Sequence, residues 1–219
     1  MLKNFVTKLH VSTKRDYLKR MLDKKVFCMK IAKKFDKEYW DGNRRYGYGG
    51  YKYIPNRWSK VAKKIISHYK LKAGSKILDV GCGKGFLLWE MLKIQPNLKI
   101  YGFDISKYAI KKSFKHKNIK LFCHKAQKKF PFKNKYFDLV ISLGTLHNLN
   151  IEDLKKSLQE IERTGKKKYV MIESYRNNKE LFNLQCWALT CKSFFSKGEW
   201  KWIFKEFKYN GDHELIYFE

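Results

Sequence analysis

At 219 residues with 44% apolar content, the chain has room for one domain and a terminal extension, and its few prolines and lack of Gly/Ser tracts exclude long disorder. The formal charge of +29 rests on 49 basic residues of which only seven are Arg, with lysines spread through every segment, so it reads as a solvated surface favouring an anionic substrate and not as an arm for specific nucleic-acid binding. Five cysteines without C-x-x-C or zinc spacing, a start interrupted by Lys3, Thr7, Lys8 and His10, and no apolar run of about 18 residues argue for reduced thiols in a cytoplasm, no metal centre, no signal peptide and no membrane span.

Over residues 14–40, Leu18, Met21, Leu22, Ile31, Phe35 and Tyr39 recur at helical spacing and predict a helical extension. It runs into Asp41-Gly42-Asn43-Arg44-Arg45-Tyr46-Gly47-Tyr48-Gly49-Gly50-Tyr51-Lys52-Tyr53, too glycine-rich for a regular helix, so a loop is expected there. Residues 1–57 are thereby set apart from a main domain over 58–219. That domain opens with a helix over 58–69, followed by a strand over 76–80, a helix over 85–94, a strand over 100–104 and a helix over 106–116. Strands over 119–123 and 137–143, a helix over 151–164 capped by Asn150, and a strand over 169–173 come next. Such βαβ alternation implies a parallel sheet with helices on both faces. Trp187 and Cys191, at helical spacing, read as core. Ser196 and Glu199 have capping-box spacing before a helix over 200–207, and residues 214–218 read as a last strand, antiparallel at the edge.

Ile77-Leu78-Asp79-Val80-Gly81-Cys82-Gly83-Lys84-Gly85 is an apolar strand that ends in an acid and opens into G-x-G-x-G before a helix. Glycine there lets the backbone turn tightly and come close to a ligand. Asp104 ends the next strand nineteen residues after Gly85, where a carboxylate can accept bonds from both hydroxyls of a ribose. The spacing differs from the G-x-G-x-x-G of dinucleotide sites, and Asp79 suits the ammonium of an amino acid better than a phosphate. Lys84 is followed by Gly, which excludes a Walker loop.

On these residues, together with Phe130-Pro131-Phe132 and Phe137-Asp138-Leu139-Val140, the sequence from about Trp58 onward resembles the class I S-adenosylmethionine-dependent methyltransferases. The resemblance implies a Rossmann-like α/β fold, with a seven-stranded sheet whose last strand is antiparallel and with S-adenosyl-L-methionine across the carboxyl ends of the first strands. It implies that Asp79, Gly81, Gly83 and Gly85 hold the methionine end and Asp104 the ribose. Ala126 and Gln127 would lie near adenine, with Leu143 at the end of the fourth strand beside the cofactor. Cys123-His124-Lys125-Ala126-Gln127 departs from the Asp-Ala common in relatives at this place.

A sulfonium already activates its methyl group, so the protein must orient the acceptor and, for an alcohol, remove a proton. Candidate bases are His147, after the fourth strand, and Glu173, at the end of the fifth; a structural turn and a solvent-facing strand end are the alternatives. Tyr175, Arg176 and the loop residues Arg44, Arg45, Tyr46, Tyr48 and Tyr51 are expected to hold the acceptor. In this reading the loop is a lid, and one of its arginines clamps an anionic group. Residues 14–58 also resemble a subgroup associated with bacterial surface-glycan gene sets. The expected activity is methyl transfer to an O or N atom of a small anionic metabolite or sugar-linked intermediate. An RNA methyltransferase, which the charge invites although no N-P-P-Y motif is present, and a non-catalytic nucleoside-binding scaffold are the alternatives.

Overall fold

The computed structural model describes residues 1–47 and 52–219, so the expectations for Tyr48 and Tyr51 lie outside the described residues. Four short helices come first: α1 (Thr7–Val11), α2 (Tyr17–Leu22), α3 (Lys25–Ala32) and α4 (Lys37–Asp41). The main unit then runs α5 (Ser59–Tyr69), β1 (Lys76–Val80), α6 (Phe86–Ile94), β2 (Lys99–Asp104), α7 (Lys107–Lys111), β3 (Ile119–Cys123) and β4 (Phe137–Leu143). It continues with α8 (Ile151–Thr164), β5 (Gly165–Glu173), α9 (Asn178–Trp187), α10 (Lys197–Glu206) and β6 (Asp212–Ile216).

Side chains on a strand alternate between faces, and here both faces are covered, which is why the strands read as continuous apolar runs. Ile77, Ile100, Leu139 and Ile141 pack on one face with Val61, Ala62 and Ile65 of α5 and Leu88 and Met91 of α6. Their neighbours Leu78, Phe103, Val140, Val170 and Ile172 pack on the other, against Leu154, Leu158 and Ile161 of α8 and Trp200, Ile203 and Phe204 of α10. Asn150 caps α8 by accepting from the Asp153 N–H at 2.8 Å, and Ser196 and Glu199 form the reciprocal capping box of α10.

The sheet has six strands among the described residues, in the order β3-β2-β1-β4-β5-β6, and not seven. Its last strand is parallel to β5, with Met171 opposite Glu214 and Glu173 opposite Ile216, where an antiparallel edge was expected. The reason is the connection: α9 and α10 carry the chain back across the sheet before β6 begins, and such a crossover delivers a parallel strand. The helix expected over 106–116 is also shorter, ending at Lys111. Phe114 instead stacks on Trp89 with centroids 4.7 Å apart, and His116 bridges back to Ile119, so tertiary packing overrides local propensity.

Residues at the amino end cover the outer edge of β6, the Lys3 N–H donating to the His213 carbonyl at 2.8 Å and the His213 N–H to that of Met1 at 2.9 Å. The buried Glu214 carboxylate then accepts from the backbone N–H groups of Phe5, Val6 and Thr7 at 2.7–2.9 Å, from the Thr7 hydroxyl and from the Tyr169 hydroxyl. Glu214→Ala strands these donors and is expected to cost about 3 to 5 kcal/mol of unfolding free energy, with Glu214→Gln costing less, as read by urea denaturation.

Candidate active site

All six strands run parallel, so the carboxyl ends of β1, β2, β4 and β5 open on one edge of the sheet, and the order reverses between β1 and β4. A crevice outside that reversal is where a ligand fits in an open α/β sheet. A cavity of about 600 Å³ lies there, a size typical of small-molecule sites. Asp79, Gly81, Gly83 and Asp104 line one side of it, Ala126 and Gln127 another, and Leu143, His147 and Glu173 a third.

Glycine is required at two positions of the loop after β1. Gly81 has φ +82°, and a Cβ there would lie 2.1 Å from Thr145 Oγ1. Gly83 has φ +53°, and a Cβ would meet the Trp40 ring at 2.8 Å. Gly85, with φ +76°, is the N-cap of α6 and does not line the cavity; its part is to turn the chain into the helix.

Two carboxyl groups face the loop. Asp104 accepts from the Gly83 N–H at 2.9 Å and the Ser106 N–H at 2.8 Å; burial pushes its pKa up and these bonds oppose the shift. Asp79 is 5% exposed, its Oδ1 is buried without a hydrogen-bond partner, and burial aided by the Asp104 charge pushes its pKa up to about 8. A buried carboxyl oxygen left unpaired is costly, and a cationic ligand group would satisfy it.

His147 and Glu173 come together across β4 and β5, with Nε2 3.4 Å from Oε2. The Glu173 N–H donates to His147 Nδ1 at 3.4 Å, which places the proton of the neutral ring on Nε2, facing the carboxylate. Burial lowers the His147 pKa, with Glu173 opposing, so the ring is neutral near pH 7. Neither ring nitrogen then offers a free lone pair to the cavity, whereas the Glu173 carboxylate is partly exposed and lines it.

The extension supplies a wall of the cavity, but mostly through other residues than those expected. Cys28, Ala32 and Tyr39 form a small core with Leu189, and Tyr46 packs there, with its ring 6.1 Å from that of Phe27. Lys33, Phe35, Tyr39 and Trp40 line the cavity instead. Trp40 Nε1 donates to Ser106 Oγ at 2.8 Å, while Asp41 accepts from Lys84 at 2.6 Å and from the Tyr108 hydroxyl at 2.8 Å, so α4 is docked over the glycine loop.

Arg44 lines the cavity, whereas Arg45 turns away to pair with Asp23. Tyr175 and Arg176 do not line it: Arg176 pairs with Glu180 and Glu219 and lies over the Tyr217 ring, and the Tyr175 hydroxyl faces Glu199 at 3.5 Å. The register carries the chain past the end of β5 toward α10 instead of into the crevice. Tyr53 is likewise held outside, its hydroxyl donating to the buried Glu90 carboxylate on α6.

Sequence reasoning missed Arg15, Arg57, Lys192, Trp40 and Thr145, all of which line the cavity. One signal existed: where basic residues are overwhelmingly Lys, the seven arginines mark positions that need a forked guanidinium, and three of them line this cavity. No group of three or more His, Cys, Asp or Glu residues placed to hold a metal ion occurs among the described residues, and no described helix is long and apolar enough to cross a membrane.

A family model described as a methyltransferase domain matches residues 71–208. An uncharacterised protein of Methanocaldococcus jannaschii is 32% identical over 154 residues, which are 70% of this chain and 51% of that protein. The tRNA (carboxymethyluridine(34)-5-O)-methyltransferase of Arabidopsis thaliana is 33% identical over 118 residues, 50% of this chain and 25% of that protein. The chain thus spans about half or less of these relatives' lengths. Among solved structures, a complex described as that between the Haloferax volcanii Trm112 methyltransferase activator and the putative methyltransferase has a similar fold, with a TM-score of 0.57 and 16% identity over 89% of this chain and 76% of that one.

Proposed function

Since the chain belongs to the methyltransferase-domain family, as a class I S-adenosylmethionine-dependent methyltransferase, we propose that it methylates an O or N atom of a small anionic metabolite or sugar-linked intermediate, with Glu173 as the base. The observation that carries the proposal is a single cavity with Asp79, Gly81, Gly83 and Asp104 on one side and the Glu173–His147 pair on another.

Asp79 takes the amino-acid ammonium of S-adenosyl-L-methionine, filling the valence its unpaired Oδ1 leaves open, and Asp104 takes the ribose hydroxyls. Ala126, Gln127 and Leu143 supply the walls around the base and sulfur. When bound, the cofactor supplies a methyl group already activated by the positive sulfur. Glu173 accepts the proton of the acceptor's nucleophile, and His147 holds that carboxylate in place through Nε2–H. Trp40 of α4 packs against Gly83 and covers part of the glycine loop.

The cofactor assignment has a pH signature. Asp79 in the free protein is protonated below about pH 8, whereas an ammonium partner favours its ionised form, so binding expels a proton there. The affinity for S-adenosylhomocysteine is expected to rise about tenfold per pH unit from 6 to 8 and level off above, with proton release in calorimetry. Asp79→Asn should bind more weakly and with little pH dependence; an unchanged slope in that variant refutes the assignment.

Similarity to a tRNA methyltransferase, and the charge of +29, favour RNA as a second acceptor class. Labelled methyl transfer into a metabolite pool against total RNA decides between them. Incorporation into RNA alone, surviving physiological salt, overturns the small-molecule reading.

A further inference from the structure

Two arginines stand on the cavity wall contributed by the amino-terminal segments. The Arg15 and Arg44 guanidinium carbons lie 5.4 and 6.0 Å from the centroid of the same Trp187 ring. Arg20 lies over that ring too, at 4.5 Å, and donates to the carbonyls of Trp187, Arg44 and Gly47. Three guanidiniums therefore converge on one indole.

No carboxylate lies within ion-pair distance of Arg15 or Arg44 among the described residues, and the Glu173 charge acts on Arg15 only from farther off. Arg15 donates through Nη1 to the carbonyls of His10 and Thr13 and through Nη2 to His10 Nδ1, and its Nε is buried without a partner. His10 stays neutral beside Arg15 and accepts from it, because burial, with Arg15 adding to it, lowers its pKa to about 4. Like charges gathered in a concave, partly desolvated place repel one another, and an anion relieves both the repulsion and the unused donor capacity. Lys192 lines the same cavity, and its backbone N–H donates to the His147 carbonyl, which ties its segment to the Glu173–His147 pair.

We propose that Arg15, Arg44 and Lys192 form an oxyanion subsite in which a phosphate ester of the methyl acceptor sits, with its nucleophile directed at Glu173. The proposal rests on the methyltransferase reading of the cavity and names the acceptor's anionic group. Three cations exceed what one carboxylate can neutralise, whereas a phosphate monoester carries nearly two negative charges and three acceptor oxygens for forked donors. The acceptor is a small phosphorylated molecule and not an RNA strand, because these cations line one concave crevice together with Glu173, while the remaining lysines are distributed over every segment.

The test is calorimetric titration of inorganic phosphate, with acetate in parallel, into protein saturated with S-adenosylhomocysteine at constant ionic strength. Phosphate is expected to bind at one site at least tenfold more tightly than acetate. Arg15→Lys and Arg44→Lys should each weaken phosphate about tenfold while changing S-adenosylhomocysteine affinity less than twofold. Thermal melting checks that Arg15→Lys is folded, and Arg44 at the more exposed rim provides the second variant. Phosphate affinity unchanged in Arg44→Lys, equal binding of acetate, or displacement of S-adenosylhomocysteine by phosphate overturns the proposal. So does a short single-stranded RNA that binds in physiological salt and is lost on Arg44→Lys. Failure of S-adenosylhomocysteine itself to bind refutes the methyltransferase reading instead, so the two failures are distinguishable.

Discussion

Glu173→Gln is expected to lower kcat by about 10²- to 10⁴-fold, the usual worth of a positioned general base, while S-adenosylhomocysteine binds within twofold of wild type. Gln keeps the volume and can still accept from His147 Nε2–H, but it cannot take a proton. His147→Asn should cost less, about tenfold, because His147 acts by holding the carboxylate and its own nitrogens are engaged at 3.4 Å on both sides. Single-turnover rates with labelled cofactor separate the two variants. A Glu173→Gln enzyme at wild-type rate would mean that the acceptor loses no proton in the rate-limiting step or loses it elsewhere, and Glu173 would revert to a strand end.

Asp104→Ala is expected to weaken S-adenosylhomocysteine by about 10²- to 10⁴-fold, since each hydrogen bond to a charged group contributes about 1.5 to 3 kcal/mol and two ribose hydroxyls share this carboxylate. The variant also strands the Gly83 and Ser106 N–H groups that Asp104 accepts from, so the glycine loop loses its anchor. Asp104→Asn retains one acceptor oxygen and should lose less. Calorimetry reads the affinity directly, and the ligand-induced rise in melting temperature should shrink in parallel. Affinity within threefold of wild type, or binding of NAD in place of the methyl-donor product, refutes the ribose role.

Much of the core was legible because it follows local rules. β1, β3, β4 and α8 begin and end where the apolar period, the glycine turn and the Asn150 cap predict. The juxtaposition of Asp79, Gly83 and Asp104 was legible as well, since a βαβ unit forces neighbouring parallel strands to end side by side, and Asp79 lies opposite Gly102 in β2. Where a residue's partner lies outside its own motif, prediction failed. Arg45 meets Asp23, Arg176 meets Glu180 and Glu219, and Tyr53 meets Glu90, and each contact removes from the crevice a group whose type suited it.

The chain's own order of residues settles the alternation of strands and helices, the caps, the glycine turn and the acids at the ends of β1 and β2, because period, backbone freedom and short-range hydrogen bonds are local. Only the folded molecule decides that β6 enters parallel, that Trp40 and not Tyr46 covers the glycine loop, and that Arg15, distant from every motif, reaches the cavity beside Arg44. These outcomes depend on crossover connections and on which aromatic and charged side chains find partners far outside their own segment. Such contacts repay their ordering entropy only in the complete packing, so no window of the sequence contains them.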